Sequence, residues 1–569
     1  MTGFVSWKAL SPGSEAIVSL GQPVDLEVER HELTRAREAV QTRLTRLATI
    51  SGGGADALAD EYIDAVVAGT IERFQQELVT FGRIDDDRPW RIGLYGIDLE
   101  GDQLVIDWRA PFAGGFYRAR FDDPLGLQRR VTYVGAIDDL FVEEFATGEV
   151  TGSSPLLSEL ARSRGTEMRT AVATLQSEQD ELVRLDPTET LVLRGGPGTG
   201  KTVVGLHRAA WLVYNDTRLT AGRILVIGPS DRFLRFVAAV LPTLGEARIL
   251  QTTFDRLLGP SNAAGSDERW LPILDRFEES LLAPAGFKVG LTRIGEDEVT
   301  ELVERVAARS LPYRDRRKVF VDLLANRHGL TAGEVSKAAA DVWPPCTTNQ
   351  ALRRLRNRST LVSLGAPADL VDAWLADPAD GALADEVRAR FEGVPATYGH
   401  VIVDEAQDLS LLQLRAVQRR SKGVSLVGDD AQRSAPHGLG LREAARRLGV
   451  EPVEMATAYR MSAEIADWLN DHAAAHGIDA VELVGIRPTG TSVREVEGPP
   501  DPVVRDRVVA EAAADLRSRW PNVASITAGD TWSHKGVEYD GVVVDTAGMD
   551  AAQIYLAASR AAHELLIVV

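Results

Sequence analysis

The chain has 569 residues, of which 44% are hydrophobic and 26% charged, the composition of an ordinary globular protein with room for several domains. Lysine and arginine number 63 against 83 acidic residues, so the net charge of −20 opposes indiscriminate adhesion to nucleic acid. Cys346 is the only cysteine, which excludes a disulfide framework and a cysteine-rich zinc site. With no secretory signal and no apolar run of about 18 residues, the predicted location is the cytoplasm, without membrane association.

Two apolar stripes with helical spacing follow the N-terminal segment. The first repeats every seven residues: Leu26, Leu33, Val40 and Leu47. The second, beyond the glycine-rich stretch at residues 51–54, alternates steps of four and three: Val67, Ile71, Phe74, Leu78 and Phe81. The pattern predicts an antiparallel helical hairpin over residues 24–81 with arms of about 35 Å. A projecting coiled coil and two helices packed into a globular core both fit so few heptads.

From Trp90 to Glu144 the apolar period changes to two, with Gly, Asp and Pro turn signals between the runs. This predicts a small antiparallel β unit. A polar linker is expected from Ala146 to Pro155, followed by a helix from Leu157 to Arg184. Within that helix, the segment LQSEQD contains Gln179, whose amide can both donate to and accept from an adenine edge.

The stretch from Leu191 to Tyr214 has the pattern of a buried strand, a glycine-rich loop and an amphipathic helix. The loop GGPGTG consists of Gly195, Gly196, Pro197, Gly198, Thr199 and Gly200. We expect its backbone N–H groups to surround phosphate oxygens, with Lys201 reaching the β/γ-phosphates and the Thr202 hydroxyl ligating Mg²⁺. The N-terminal end of the following helix adds positive potential. The sequence therefore predicts a nucleotide phosphate site.

The next segment, RILVIGPSDRFLRFVAAVL, repeats the change from strand to helix, as a doubly wound parallel sheet requires. Residues 260–395 then show helical patterns and no strand signal, which is too long a stretch for a loop and predicts an inserted helical domain. Within it, residues 310–359 hold ten Lys and Arg against four acids. A binding patch and ordinary solvated helix faces both account for this excess, and solvated faces are the more common case.

Two further apolar strands each end in polar residues. In HVIVDEAQDL, Asp404 follows the strand and can hold Mg²⁺, while the adjacent Glu405 can polarise the attacking water. In GVSLVGDDAQ, the strand is followed by Asp429, Asp430 and Gln432. Because parallel sheets bind ligands at the carboxyl edge of their strands, we expect these residues to meet the nucleotide, with Gln432 sensing the γ-phosphate.

The motifs occur in one order along the chain: Gln179, GGPGTGKT, DEAQD, VGDDAQ, AYR at 458–460, HKGVEYD at 534–540 and YLAASRA at 555–561. This ordered set resembles superfamily 1 helicase-like ATPases of the UvrD/Rep type. The resemblance implies two RecA-like P-loop lobes with ATP and Mg²⁺ as cofactors. It further implies that Tyr459 stacks on adenine and Glu538 holds the ribose. Arg460 and Arg560 would contact the γ-phosphate as arginine fingers.

The chain departs from DNA helicases of that type where nucleic acid would be contacted. VIGPSDRF stands in place of the TxxNKAA-like pattern that those helicases share, and RSAPHG after Gln432 contains no aromatic residue for base stacking. About 75 residues separate Arg460 from Lys535, so the second lobe is expected to be unusually small. DNA binding is accordingly predicted to be weak or indirect.

A second resemblance extends over nearly the whole chain. The N-terminal hairpin, the stretches RIGLYGI and VIDWRAPFAGGFYRA, the segment FLRFVAAVLPTLGE and the helical insertion look like the HelD family, ATPases that bind and recycle bacterial RNA polymerase. The resemblance implies that the hairpin 24–81 and the insertion 260–395 contact core RNA polymerase, and that the motor removes nucleic acid and releases the enzyme. Some members of that family are also tied to rifamycin tolerance.

We therefore expect a monomeric α/β protein with five segments. These are a hairpin and β unit at 1–155, the first part of a RecA-like lobe at 156–259, the helical insertion at 260–395, the rest of that lobe at 396–445 and a reduced second lobe at 446–569. The expected function is an ATP-hydrolysing motor that acts on RNA polymerase. The alternatives are a single-stranded DNA translocase and a polymerase-binding factor that uses ATP as a slow switch.

Overall fold

The computed structural model describes residues 24–50, 80–134, 138–153, 175–216, 218–246, 249–377, 379–487, 489–490 and 493–569. The chain divides into two compact units, and each is described by itself. The first comprises Met1–Pro187, Thr202–Ile224 and Arg235–Leu250, and the second comprises Thr188–Lys201, Leu225–Leu234 and Gln251–Val569. Within the described ranges, none of the helices combines the length and the apolar character needed to cross a membrane.

The α-helices of these ranges are α1 Leu26–Ile50, α2 Gly114–Arg118, α3 Ser177–Val183, α4 Lys201–Asn215, α5 Asp231–Thr243, α6 Phe254–Leu258, α7 Trp270–Ser280, α8 Glu296–Ala307, α9 Tyr313–His328, α10 Ala332–Ala338, α11 Thr348–Leu355, α12 Arg358–Ser363, α13 Ala368–Ala376, α14 Gly381–Phe391, α15 Leu411–Arg420, α16 Leu441–Leu448, α17 Ala463–His476, α18 Pro502–Arg519 and α19 Ala551–Ala558. The β-strands are β1 Gly82–Asp85, β2 Pro89–Gly93, β3 Ile97–Leu99, β4 Asp102–Asp107, β5 Arg129–Tyr133, β6 Leu140–Glu144, β7 Glu149–Thr151, β8 Leu191–Gly195, β9 Ile224–Ile227, β10 Leu250–Thr252, β11 Phe287–Val289, β12 Thr292–Ile294, β13 Tyr398–Val403, β14 Ser421–Gly428, β15 Val453–Met455, β16 Thr457–Ser462, β17 Val484–Arg487, β18 Arg494–Val496, β19 Val523–Ile526, β20 Tyr539–Asp545 and β21 Ala561–Val568.

The first unit contains a seven-stranded sheet in the order β3-β4-β2-β1-β5-β6-β7. Its neighbouring strands are antiparallel apart from β2 and β4, which run parallel. The linker expected from Ala146 is partly wrong, because β7 pairs with β6 there and forms a hairpin. Gly148 has φ of +75°, a turn conformation that glycine adopts without strain, so a polar stretch that resembles a linker reverses the chain instead.

Helix α1 packs its apolar stripe on this sheet. Leu33, Ala36 and Val40 are buried and form one cluster with Ile97 and Val105. The predicted first arm is therefore helical, and its stripe contacts the β unit as far as Val40. The second arm of the predicted hairpin, at residues 51–79, lies outside the described residues, and the hairpin remains a prediction.

A buried carboxylate fixes the start of α1 on the sheet. Glu29 is fully buried and accepts hydrogen bonds from Arg83 Nη1 at 2.7 Å, Arg91 Nη2 at 2.7 Å and the Tyr133 hydroxyl at 2.5 Å. Burial alone would raise the pKa of Glu29, but the two guanidiniums outweigh it and lower that pKa. Three hydrogen bonds to Glu29 therefore fix the N-terminal end of α1 to the sheet.

The second unit is built around a six-stranded sheet in the order β10-β9-β13-β14-β8-β15. Strands β13, β14, β8 and β15 run parallel to one another, and β8, β9 and β13 are almost entirely buried, as their continuous apolar runs require. The prediction of an α/β protein with parallel sheets is confirmed. Strand β15 joins this sheet although it lies beyond residue 446, where the sequence placed the start of a second lobe.

A second sheet occupies the C-terminal part of the same unit. Its strands β18, β21, β20 and β19 are all parallel, and the separate pair β16 and β17 is also parallel. Val542, Val544, Leu565 and Ile567 from the two central strands are buried in one core with residues of α17 and α19. Apolar residues on alternate positions of β20 and β21 thus hold helices against the sheet.

The helices between α7 and α14 surround one hydrophobic core. Trp270 and Trp374 meet edge to face at 5.1 Å between ring centroids, and Phe277, Trp343 and Phe391 complete its aromatic part. The expectation of no strands in 260–395 is wrong at one place, where β11 and β12 form a hairpin. Each has only three residues, too few to produce a recognisable period of two.

The basic run of residues 310–359 is partly neutralised in the structure. Half of its ten cations bind acidic side chains, in the pairs Arg314–Asp315, Arg316–Glu278, Arg327–Glu298, Arg356–Asp380 and Arg358–Asp372. These cations serve the folding of the helical segment. The pairing favours the interpretation of structural helix faces over that of a binding patch.

Ion pairs join α14, the last helix before β13, to α15. Glu386 is fully buried and accepts hydrogen bonds from Arg415 Nη2 at 2.9 Å and Arg419 Nη1 at 2.5 Å. The adjacent Asp385 is also buried and binds Arg419 and Arg420. Burial alone would raise the pKa of Glu386, but these guanidiniums outweigh it and lower that pKa to about 2. We call this group the α14–α15 clamp.

Substitution Glu386→Gln is expected to loosen α14 and α15 because it takes a counter-charge from Arg415, Arg419 and Arg390, the last of which lies on α14 itself. Breaking a buried pair costs about 3 kcal/mol, and we expect native-state hydrogen exchange of the α14 and α15 amides to accelerate accordingly at neutral pH. The depressed pKa of Glu386 means that its contribution is present above the unfolded-state pKa and is lost as the pH falls towards about 2. The exchange difference between variant and wild type should therefore shrink on acidification.

The matched control is Glu443→Gln. Glu443 binds Arg446 and Arg447 in the same helix, but its carboxylate is 28% exposed where that of Glu386 is fully buried, so the same change should have little effect. Equal protection of α14 and α15 in Glu386→Gln and wild type would show that the α14–α15 clamp contributes nothing to local stability.

Candidate functional site

The glycine-rich loop connects β8 to α4 and is shaped by its glycines. Gly198 and Gly200 have φ of +72° and +86°, which other residues adopt only with strain. A Cβ atom on Gly196 would lie 2.4 Å from Leu483 Cδ2, so the close approach of the chain there also requires glycine. The Thr199 hydroxyl donates to the Gly196 carbonyl at 2.9 Å and closes the loop. The structure thus forms the compact turn that the sequence predicts.

Lys201 begins α4 directly after this turn. Its Nζ donates to the Gly196 carbonyl at 2.7 Å, so the ammonium group lies over the loop. The positive charge of Lys201 acts on Asp429. Burial raises the pKa of Asp429, and the nearby ammonium group partly opposes that rise. The loop, the lysine and the end of β14 therefore share one edge of the parallel sheet.

Asp404 and Glu405 follow β13 at the same edge. Glu405 is one of few non-glycine residues with a left-handed backbone, at φ of 54° and ψ of 38°, which costs about 1 kcal/mol. Its amide donates to Asp404 Oδ1 at 2.9 Å, and its Oε2 accepts from Gln407 Nε2 at 2.7 Å. Backbone strain of this kind, held in place by surrounding contacts, is typical of functional sites.

A chain of hydrogen bonds joins the two sheets through Gln432. Its Nε2 donates to Asp429 Oδ2 at 2.8 Å, and its Oε1 accepts from Arg560 Nη2 at 2.8 Å. Arg560 is buried in the turn just before β21. The predicted γ-phosphate sensor and one predicted arginine finger are therefore in direct contact.

The other residues predicted from the C-terminal motifs lie close by. Arg460 Nη1 donates to Glu538 Oε2 at 3.1 Å, and both side chains are partly exposed. The backbone N–H of Tyr459 donates to the Gly198 carbonyl at 3.0 Å, which ties its strand β16 to the glycine-rich loop. The second unit thus brings together the predicted residues from motifs up to about 360 positions apart.

Gln179 and Thr202 belong to the first compact unit. The side-chain oxygen of Gln179 accepts from the backbone N–H of Gln176 at 3.1 Å, as part of a capping box at the start of α3. Its predicted contact with adenine remains a prediction. So does the predicted role of Thr202 as a magnesium ligand.

Sequence reasoning missed Lys535 as a member of this site. Its Nζ lies 2.7 Å from Asp408 Oδ2 and 3.2 Å from Glu405 Oε2. Burial alone would lower the pKa of Lys535, but these two carboxylates outweigh it and raise that pKa. The motif HKGVEYD contained the signal, but only the fold reveals which carboxylates the lysine meets.

Sequence reasoning also missed Arg194, a cation within the buried strand β8. Its side chain is 1% exposed and binds three acids: Asp430 at 2.7 Å, Asp479 at 2.8 Å and Glu454. A charged residue in the otherwise apolar run LVLRG was the available signal, since a buried guanidinium requires partners. We call this group the Arg194 cluster.

The side chains and loop at this edge suit a nucleoside triphosphate with Mg²⁺. Within the described ranges, His, Cys, Asp and Glu form no group of three or more that could hold a metal by itself. Mg²⁺ commonly binds through one or two protein groups together with substrate phosphates. Asp404 at the strand end, beside a loop shaped for phosphate, fits that mode of binding, and Thr202 is the second predicted ligand.

Residues 25–140 match a family model described as the N-terminal domain of HelD, DNA helicase IV. The matched range covers most of the seven-stranded sheet together with α1. This region of the chain is therefore similar to the N-terminal domain of HelD. A search among curated proteins finds no match.

Among solved structures, three similar chains are helicases. The arterivirus nonstructural protein 10 helicase in complex with DNA is 10% identical, with a TM-score of 0.31 over 69% of this chain and 64% of that one. The PRRSV helicase is 13% identical, with a TM-score of 0.27 over 68% and 54%. A second structure of the arterivirus nonstructural protein 10 helicase is also 13% identical, with a TM-score of 0.28 over 69% of this chain and 62% of that one. This chain thus spans under two thirds of each, and likeness this slight carries no argument about the site.

Substitution Arg194→Met is expected to destabilise the edge of the six-stranded sheet, because it removes the guanidinium but keeps an apolar stem of similar length. Three carboxylates then lose their shared partner, and one broken buried pair costs about 3 kcal/mol. Hydrogen exchange at the ends of β8, β14 and β15 should accelerate by a corresponding factor.

Arg442→Met is the matched control. Arg442 binds Glu454 and Asp479 as well, but its side chain is 56% exposed, so its loss should change exchange little. If both variants behaved alike, the burial of Arg194 would not be what holds these strand ends together.

Proposed function

We propose that this chain is an ATP-hydrolysing, helicase-like motor of the HelD type. One observation carries the proposal: Lys201, Glu405, Gln432, Arg460 and Arg560, from separate motifs, converge at one edge of the second unit. The six-stranded and four-stranded sheets would be its two RecA-like lobes. The HelD-type N-terminal domain at residues 25–140 supports the same assignment.

In the proposed mechanism, the loop N–H groups and Lys201 bind the phosphates of ATP. Thr202 and Asp404 would hold Mg²⁺, which neutralises phosphate charge when bound. Glu405 orients the attacking water from its constrained backbone. Arg460 from β16 and Arg560 from the turn before β21 stabilise charge that develops on the transferred phosphoryl group. Tyr459, Glu538 and Gln179 would hold the adenosine.

We further propose that core RNA polymerase is the partner, contacted through residues 24–81 and the insertion 260–395. This choice rests on the resemblance of the sequence to the HelD family, since the description of the matched N-terminal model names a DNA helicase and no polymerase. The net charge of −20 and the pairing of half of the basic run with acids argue against a surface built for free nucleic acid. Single-stranded DNA translocation is the alternative, and a polymerase-binding switch with slow hydrolysis is the third possibility.

Lys201→Ala and Glu405→Gln are expected to separate binding from hydrolysis. Loss of Lys201 removes the positive charge that would lie beside the β/γ-phosphates and should weaken nucleotide binding. Glu405→Gln keeps the shape of the side chain but cannot polarise water, so binding should persist while turnover falls about 10²-fold or more. A fluorescent ATP analogue and a phosphate-release assay measure the two effects. Turnover at the wild-type rate in Glu405→Gln would remove that residue from the mechanism.

A variant with both predicted arms shortened by one heptad, which leaves the buried Val40 in place, tests the partner. Its stripes stay in register, so nucleotide binding should be unchanged while affinity for core RNA polymerase falls. Co-purification with polymerase and anisotropy with a labelled single strand, both at physiological salt, are the measurements. Undiminished polymerase binding would contradict the role of the arms. Tight binding to the single strand with strong ATPase stimulation would favour the translocase.

A further inference from the structure

The ammonium group of Lys535 occupies a pocket made by two stretches of the six-stranded sheet. In the segment after β13, its Nζ contacts Asp408 Oδ2 at 2.7 Å and Glu405 Oε2 at 3.2 Å. In the segment after β14, Nζ donates to the Gln432 carbonyl at 3.0 Å and to the Ser434 hydroxyl at 3.3 Å. The side chain is only 16% exposed, so these contacts are largely shielded from water.

The lysine itself is carried by the four-stranded sheet. It follows the short turn Thr531–His534, whose Thr531 hydroxyl donates to the Thr527 carbonyl just beyond β19 at 2.7 Å. His534 Nδ1 lies 2.8 Å from the Tyr539 hydroxyl on β20. The turn is thus fixed to one sheet, while the ammonium group it carries is bound by the other.

This contact determines how Glu405 is held. Its Oε2 accepts a hydrogen bond from Gln407 Nε2 at 2.7 Å and forms an ion pair with the Lys535 ammonium at 3.2 Å, so two N–H-bearing groups orient the carboxylate through one oxygen. That arrangement leaves Oε1 as the oxygen through which Glu405 can orient a water. Gln407 comes from the same turn as Glu405, and Lys535 is the donor that comes from the other sheet.

We propose that Lys535 is a positioning residue that makes hydrolysis depend on docking of the turn 531–535 against the segment 404–408. The inference rests on the proposed ATPase function and adds a form of regulation to it. When the two sheets are apposed, Lys535 completes the environment of Glu405. When a partner draws the four-stranded sheet away, Glu405 loses one of its two orienting donors and hydrolysis slows, while Lys201 and the loop still bind phosphate.

A plain inter-sheet ion pair is the competing explanation, and Asp408 distinguishes the two. Asp408 is well satisfied without the lysine, since it accepts from the Ser434 and Ala435 amides at 2.7 and 2.9 Å and from the Ser434 hydroxyl. A purely structural lysine needs only this partner. The additional contact with Glu405 matters for turnover alone, so the two explanations predict different kinetics.

The test compares Lys535→Met, Lys535→Arg and the control Lys422→Met, which alters an exposed lysine of β14. We expect Lys535→Met to lower kcat by about 10²-fold, as misplacement of a catalytic group does, with little change in affinity for a fluorescent ATP analogue. Lys535→Arg should recover most of the loss, and Lys422→Met should match wild type. Hydrogen exchange of residues 531–535 should rise in Lys535→Met, while β13 and β20 stay protected and report an intact fold.

Asp408→Asn provides a second route, because it weakens the docking contact without altering Lys535 or Glu405. It should show the same separation of kcat from affinity in weaker form. A wild-type kcat in Lys535→Met, or a parallel loss of nucleotide affinity, would overturn the inference while leaving the ATPase assignment intact. Absence of hydrolysis by the wild-type protein with its partner present would instead overturn the proposed function.

Discussion

The guanidinium of Arg194 is the constraint on which the arrangement of the second unit depends. A cation in the middle of a buried strand costs several kcal/mol unless it is paired. Its three acids come from the segment after β14, from β15 and from the loop after α17. Asp430 is two residues from Gln432, so the Arg194 cluster also fixes the position of Gln432, whose side chain accepts from Arg560. One buried charge thus ties the strand that leads into the glycine-rich loop to the end of β14, to β15 and to the loop after α17.

The groups that would receive a nucleotide are already engaged with protein partners. Lys201 binds a loop carbonyl, Arg460 binds Glu538, and Gln432 binds Arg560. Phosphate oxygens must replace these partners, so the net gain on binding is the difference between two sets of hydrogen bonds, which is smaller than either set. Such exchange allows a bound nucleotide to alter contacts between the sheets without requiring very tight binding.

The parts of the site that could be predicted from the sequence are local. The glycine-rich loop, the acids after β13 and the parallel sheet each have signals within about twenty residues. Contacts between distant residues could not be predicted: Arg194 lies 285 positions from Asp479, and Lys535 lies 127 from Asp408. Strands of three residues, such as β11, β12 and β7, carry too little pattern to recognise. The pairing of arginines in 310–359 also depended on acids such as Glu278 outside that run.

The α14–α15 clamp limits how modular the helical insertion can be. Deleting residues 260–395 would remove Asp385 and Glu386 and leave Arg415, Arg419 and Arg420 on a ten-residue helix without their counter-charges. That helix runs from the segment containing Glu405 to the strand that precedes Asp429. A truncated protein would therefore misplace the residues of its own candidate site, and its inactivity would say nothing about partner contacts. A substitute insertion would need an acidic pair in the same helical register to be grafted successfully.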